Sequence, residues 1–333
     1  MLDLLWSHPG VAAVLLAIFA LVIYRLYHSS NARSGFIREF TKRQRITSNV
    51  VFRYGVVEIK GRRAYMEDRH VEVGMLNGRE GDSLYAVFDG HGGPRASEFC
   101  VERVPRNLLN SRYFAEGNIE HALVDAFTRT DDEFMMQARA ECLDDGTTAI
   151  AACVRNGNEI FVANAGDSRG IVVQRQGKVF AVSDDHKPNR PDEMARIKAA
   201  GGAVYFHGVW RVQGILAVSR AIGDRILKAY VTARPDVARW EVTAADKFLV
   251  LATDGLWDVM SNEEVGEVIV TLADPQEAAA RLVEYAFTRG SADNITVLVV
   301  DLTSTQMAAS GGAGAGAAAA AGATGSYSDD KQS

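Results

Sequence analysis

Apolar residues run along this chain in two rhythms. Short runs rich in β-branched residues and bordered by turn signals lie at 56–59, 83–88, 147–154, 159–164, 170–174, 179–182, 248–252 and 295–301, and each predicts a strand. Longer segments with helical spacing fill the gaps. The segment 94–110 opens with Pro94 in its first turn, and 119–140 carries apolar residues at helical spacing. The segment 191–200 stops at Gly201-Gly202, 261–272 opens with Ser261 and Glu264 at capping-box spacing, and 275–288 follows. This order is neither strict βαβ alternation nor all-β. Many short strands with a few long helices predict one α+β layered domain with antiparallel sheets, over residues 48–302.

The two ends break the pattern. Residues 11–24 carry no charge, and Leu4, Leu5 and Trp6 extend the run outward. Counted from Leu4 to Tyr24 it reaches the ~17–25 residues a spanning helix needs. Trp6 on one side and Tyr24 and Tyr27 on the other suit the interfacial belts. Arg25, Arg33, Arg38, Lys42, Arg43 and Arg45 all follow the run, so the positive-inside rule places the following domain in the cytosol. A cleaved secretory signal is the competing reading, but Asp3 stands where a basic residue would, and no small-residue cleavage site follows. The expectation is a single uncleaved anchor over residues 1–28. A basic linker follows at 29–47, either a solvated spacer or a contact for anionic lipid. The Gly/Ala-rich tail at 303–333 has few side chains to bury and is expected to be disordered.

Composition narrows the class. With 47% hydrophobic residues and a net charge of −6, the chain is an ordinary globular one without the electrostatic footprint of a nucleic-acid binder. Cys100, Cys142 and Cys153 lack metal-ligand spacing and read as reduced thiols of a cytosol-facing domain. The informative chemistry lies where apolar runs meet acids. The 83–88 run enters Asp89-Gly90-His91-Gly92-Gly93, the 248–252 run leads to Asp254-Gly255, and Asp293-Asn294 opens the last run. Carboxylates at strand ends point from a rigid scaffold into a common mouth, where a cation relieves their repulsion. Oxygen ligands without a His/Cys cluster favour Mg²⁺ or Mn²⁺ over zinc, and such metals usually serve phosphoryl chemistry.

At this level the motifs form an ordered series. Arg62-Arg63-Ala64-Tyr65-Met66-Glu67-Asp68 precedes Phe88-Asp89-Gly90-His91-Gly92-Gly93, and Asp145-Gly146-Thr147-Thr148-Ala149 precedes Asn164-Ala165-Gly166-Asp167-Ser168-Arg169. Ser183-Asp184-Asp185-His186-Lys187-Pro188 and Leu216-Ala217-Val218-Ser219-Arg220-Ala221-Ile222-Gly223-Asp224 come next. Ala252-Thr253-Asp254-Gly255-Leu256-Trp257-Asp258 and Gly290-Ser291-Ala292-Asp293-Asn294 complete it. The series resembles the metal-dependent protein serine/threonine phosphatases of type 2C, from about residue 54 to residue 301.

The resemblance implies a sandwich of two antiparallel β-sheets flanked by α-helices, with the metals at one edge. It implies hydrolysis of phosphoserine and phosphothreonine by a hydroxide bridging two Mg²⁺ or Mn²⁺ ions, with a third bound weakly. Asp89 and the Gly90 carbonyl would hold the pair, Asp254 and Asp293 would complete the second ion, and Glu67 and Asp68 would lie close by, Glu67 through water. Arg63 would grip the substrate phosphate, His91 would protonate the leaving oxygen, and Asp167 would serve the third ion and the acid. Arg62 reads as a solvated neighbour, Asp184, Asp185 and His186 as structural, and Asp224 and Asp258 as turn and hydrogen-bonding residues. Asp145 stands where a small residue is usual and implies a change of local polarity only. Residues 188–210 correspond to a substrate-proximal flap.

The implied partners are phosphorylated proteins and a membrane, with no nucleic acid, and a monomer is expected. The short span favours the endoplasmic reticulum, with the mitochondrial outer membrane and a plastid envelope left open. An idle scaffold would show a lost ligand position and none is lost; a nucleotide hydrolase would carry a glycine-rich phosphate cradle, which is absent.

Overall fold

The computed structural model describes residues 52–303. The expected anchor and linker, and the tail beyond residue 303, lie outside the described residues. No helix among the described residues is long and apolar enough to cross a membrane.

Two five-stranded antiparallel sheets carry the domain. In the first, β1 (Arg53–Ile59) pairs with β15 (Ile295–Asp301), followed by β14 (Asp246–Ala252), β8 (Arg169–Gln174) and β9 (Val179–Ala181). In the second the order is β13 (Asp236–Glu241), β7 (Glu159–Ala165), β6 (Ala149–Arg155), β3 (Ser83–Phe88) and β2 (Arg69–Gly74). Alternation along the central strands explains why they read as continuous apolar runs. On β3, Tyr85 and Val87 face the interior between the sheets, while Leu84, Ala86 and Phe88 face outward to helices. On β14, Leu249 and Leu251 point inward and Phe248 and Val250 outward. Both faces are dry, so both are apolar.

Helices Arg95–Leu109 and Ile119–Glu141 cover the second sheet through Cys100, Val104, Leu123 and Phe127. Helices Asn262–Ile269 and Pro275–Thr288 cover the first through Val265, Ile269, Leu282 and Val283. Ser261 caps its helix with the reciprocal bond to Glu264 that the spacing predicted. The layers therefore run helix, sheet, sheet, helix, as expected. Each fully buried aliphatic side chain contributes about 1.5–3 kcal/mol to this stack.

The strands missing from the sequence reading are those at edges. β2 is half-buried along its length and β13 alternates between exposed and half-buried, so neither shows an apolar run. The hairpin of β10 (Val204–His207) and β11 (Val209–Val212) is largely exposed. The expected strand 147–154 is divided. Thr147 belongs to a three-stranded sheet of β4 (Gly90–His91), β5 (Gly146–Thr147) and β12 (Ile222–Gly223), and β6 starts only at Ala149. Thr148 sits at the break, its N–H donating to the Asp89 carbonyl at 2.9 Å. That small sheet fixes the geometry of the site.

Candidate metal centre and active site

Asp89 leaves the end of β3, Asp167 sits in the turn between β7 and β8, and Asp254 follows β14. One carboxylate oxygen from each lies within 4.8 Å of the others. Burial raises the Asp89 and Asp254 carboxyls well above their ordinary value, and the surrounding acids raise them further. Oδ1 of Asp254 is buried and has no hydrogen-bond partner. An orphaned buried oxygen among mutually repelling carboxylates fits a hard cation, so the donor set suits Mg²⁺ or Mn²⁺.

Asp68 is fully buried behind this cluster. Its Oδ2 accepts hydroxyl bonds from Thr296 at 2.8 Å and Thr253 at 3.0 Å. Burial pushes its carboxyl up to about 7, against the two threonine bonds that lower it. Glu67 is placed by the backbone: its N–H donates to Asn294 Oδ1 at 2.8 Å, and its carbonyl accepts from Ser97 Oγ at 2.5 Å. A Cβ on Gly90 would come 2.5 Å from that same carbonyl, so only glycine lets the two segments meet. Asn294 also donates to the carbonyls of Lys60 (2.8 Å) and Tyr65 (2.9 Å). One amide thus holds the whole loop that carries Arg63 and Glu67.

Asp293 is not within the three-carboxylate group. Its Oδ2 accepts from Arg63 Nη2 at 2.5 Å, which joins the residue expected at the metal to the one expected at the phosphate. Asp167 accepts from Lys187 Nζ at 2.5 Å. Burial lowers the Lys187 ammonium, but Asp167 and the neighbouring acids raise it above its ordinary value. His91 meets Asp224, with Nε2 at 2.9 and 3.0 Å from the two carboxylate oxygens. Burial pushes the imidazole down, yet Asp224, Asp167 and Glu67 outweigh it and raise His91.

Sequence reasoning missed several supports. Lys187 and Asn294 went unassigned, because their partners are remote in the chain. Asp145 does more than alter polarity: fully buried, it accepts from the Arg95 guanidinium at 2.5 and 2.9 Å and from the Arg95 N–H at 3.2 Å, at the start of helix Arg95–Leu109. Arg62 is not merely solvated either. It donates to the carbonyls of Ser291 (2.6 Å) and Phe287 (3.2 Å) and lies over the Phe287 ring. Asp185 and His186 are structural as expected, Asp185 pairing with Arg169 and His186 buried between Gly166 and Asp236.

This two-sheet sandwich with an acid cluster at one edge is the architecture of a metal-dependent phosphatase. The family model for protein phosphatase 2C matches residues 52–295, and the chain belongs to that family, the protein serine/threonine phosphatases. It is 44% identical over 268 residues to "Probable protein phosphatase 2C 59" of Arabidopsis thaliana, covering 80% of this chain and 85% of that one. It is 46% identical over 247 residues to "Probable protein phosphatase 2C member 13, mitochondrial" of Oryza sativa subsp. japonica, covering 74% and 67%. Among solved structures, a serine-threonine phosphatase 2C from Toxoplasma gondii superposes with a TM-score of 0.69 at 28% identity, covering 75% of this chain and 94% of that one.

Proposed function

We propose that this enzyme hydrolyses phosphoserine and phosphothreonine in proteins at a binuclear Mg²⁺ or Mn²⁺ centre. The observation that carries the reading is the convergence of Asp89, Asp167 and Asp254 around an unpaired, buried carboxylate oxygen. Asp89, the Gly90 carbonyl, Asp254 and Asp293 would hold the two ions, with Glu67 and Asp68 supporting them and Asp167 serving a third, weaker one. When bound, such ions supply Lewis acidity, neutralising phosphate charge and lowering the pKa of water.

The remaining roles belong to this chain's own side chains. The Arg63 guanidinium grips the substrate phosphate, exchanging Asp293 for it, because its planar fork matches phosphate oxygens. His91 donates a proton to the departing serine or threonine oxygen as the P–O bond breaks. Asn294 keeps Arg63 and Glu67 in register.

The domain is further proposed to sit on the cytosolic side of a membrane through residues 1–28, on the strength of the uncharged run and the basic residues that follow it. The endoplasmic reticulum is the favoured membrane from the length of the run, with the mitochondrial outer membrane and a plastid envelope as the alternatives. A fluorescent fusion of residues 1–47 tests this, and a diffuse cytosolic signal would refute the anchor.

The activity test is phosphopeptide turnover by the full chain with Mn²⁺, then with chelator, beside metal counting by mass spectrometry. Activity that needs the metal, returns on adding it back and accompanies two ions per chain is expected. A folded, metal-loaded chain that turns over no phosphopeptide would overturn the reading.

A further inference from the structure

Asp224 lies 133 positions from His91 in sequence, yet its carboxylate faces the His91 ring. It is 4% exposed, and His91 is its one side-chain partner among the described residues. Its backbone is left-handed, at φ 55° and ψ 55°, an unusual and costly conformation for a residue with a Cβ. Neighbours enforce it. The Asp224 N–H donates to the Asp145 carbonyl at 2.9 Å, and Asp145 is itself anchored by Arg95. The preceding Gly223 N–H donates to Asp131 at 2.8 Å.

The space for this pair is also built. A Cβ on Gly146 would stand 2.3 Å from both His91 Nε2 and Asp224 Oδ2. A turn alone does not require aspartate here, since asparagine and glycine adopt the left-handed region at least as readily. Only a carboxylate offers a charge and two acceptor oxygens to one imidazole nitrogen.

We propose that Asp224 is the positioning residue for His91, receiving the Nε2–H so that Nδ1 is the nitrogen that delivers the proton to the leaving oxygen. The inference rests on the reading of His91 as the acid. Water adds to phosphorus, the P–O ester bond breaks, the proton on Nδ1 passes to the departing alkoxide, and the proton shed by the attacking water returns through solvent to Nδ1. The Nε2–H stays on the ring throughout, held by the Asp224 side chain. Nδ1 has no protein partner among the described residues, so it is free for substrate.

The test compares a phosphothreonine peptide with p-nitrophenyl phosphate, whose leaving group needs no proton. The full, Mn²⁺-loaded chain is used as wild type, His91→Gln, Asp224→Asn and the double variant. A positioned acid contributes about 10²–10⁴-fold. His91→Gln should lose that much kcat on the peptide and little on the aryl phosphate. Asp224→Asn, isosteric and tolerant of the same backbone, should show the same selective loss, about 10–100-fold, and the double variant should be no worse than His91→Gln.

A selective loss in His91→Gln, with equal loss on both substrates or none in Asp224→Asn, would overturn the role of Asp224 and leave the acid standing. No selectivity in His91→Gln would overturn the acid and this inference with it. Should Asp224→Asn fail to fold, the ring ¹⁵N spectrum of the wild-type chain decides, with His91 assigned by its absence in His91→Gln. A ring that carries a proton on Nε2 is expected, and a bare Nε2 would refute the pairing.

Discussion

Asp254→Asn separates what the acid cluster costs the fold from what it does for the reaction. The substitution keeps side-chain shape and removes one negative charge lying within 4.8 Å of Asp89 and Asp167. At that distance and an effective dielectric of ~20, each fully ionised pair repels by about 3.5 kcal/mol. Removing the Asp254 charge relieves at least one such repulsion, so about 3 kcal/mol of stabilisation is expected in chelator. Little is lost in exchange. Oδ1 has no partner to forfeit, and the carboxylate in the first turn of helix Asp254–Trp257 contributes roughly 0.3–1 kcal/mol. Urea unfolding in chelator should therefore show a variant more stable than wild type. With saturating Mn²⁺ the order should reverse, because the variant loses most of the metal-dependent gain, and phosphopeptide turnover should vanish. A variant destabilised in chelator, or one gaining as much from Mn²⁺ as wild type, would show that Asp254 serves the fold rather than a metal.

Three more outcomes follow from the same geometry. Burial raises Asp68 from its ordinary 3.8 to about 7, so in chelator the folded state holds that proton more tightly than the unfolded one. Stability is then lost as pH climbs from about 4 to about 7, on the order of 4 kcal/mol at ~1.4 kcal/mol per pH unit; a urea midpoint that is flat or rising over that window would contradict this. Asn294→Ala strips the loop of its three backbone bonds and should cost about 2–4 kcal/mol and raise KM for phosphopeptide through a loosened Arg63, an effect absent if unfolding and KM both match wild type. Gly90→Ala places a methyl 2.5 Å from the Glu67 carbonyl and 2.9 Å from Ser97 Oγ, so Mn²⁺ titration calorimetry should show weakened affinity beside a loss of about 1–3 kcal/mol in stability; unchanged metal binding would mean that the Glu67 segment does not matter to the site.

Much of this molecule is legible in its sequence. The core strands announce themselves because both of their faces are dry, so Leu84 through Phe88 and Phe248 through Ala252 read as unbroken apolar runs. Helix Asn262–Ile269 was readable from Ser261 and Glu264, whose capping bonds are local. Asp89, Asp254 and Asp293 stood out because each borders such a run. What stayed hidden was whatever draws its meaning from a partner far along the chain. β2 and β13 are edge strands with no apolar signature, and Thr148 splits an apparently continuous strand only because Asp89 claims its N–H.

The chain by itself thus determined the layers, the acids and the family motif order, since these depend on local pattern and residue type. Tertiary structure alone decided which acid meets which base: Asp224 with His91, Lys187 with Asp167, Arg63 with Asp293. The physical reason is that a charged group in a buried mouth is defined by its nearest counter-charge. Here the counter-charges come from turns and strand ends brought together by sheet pairing rather than by sequence spacing.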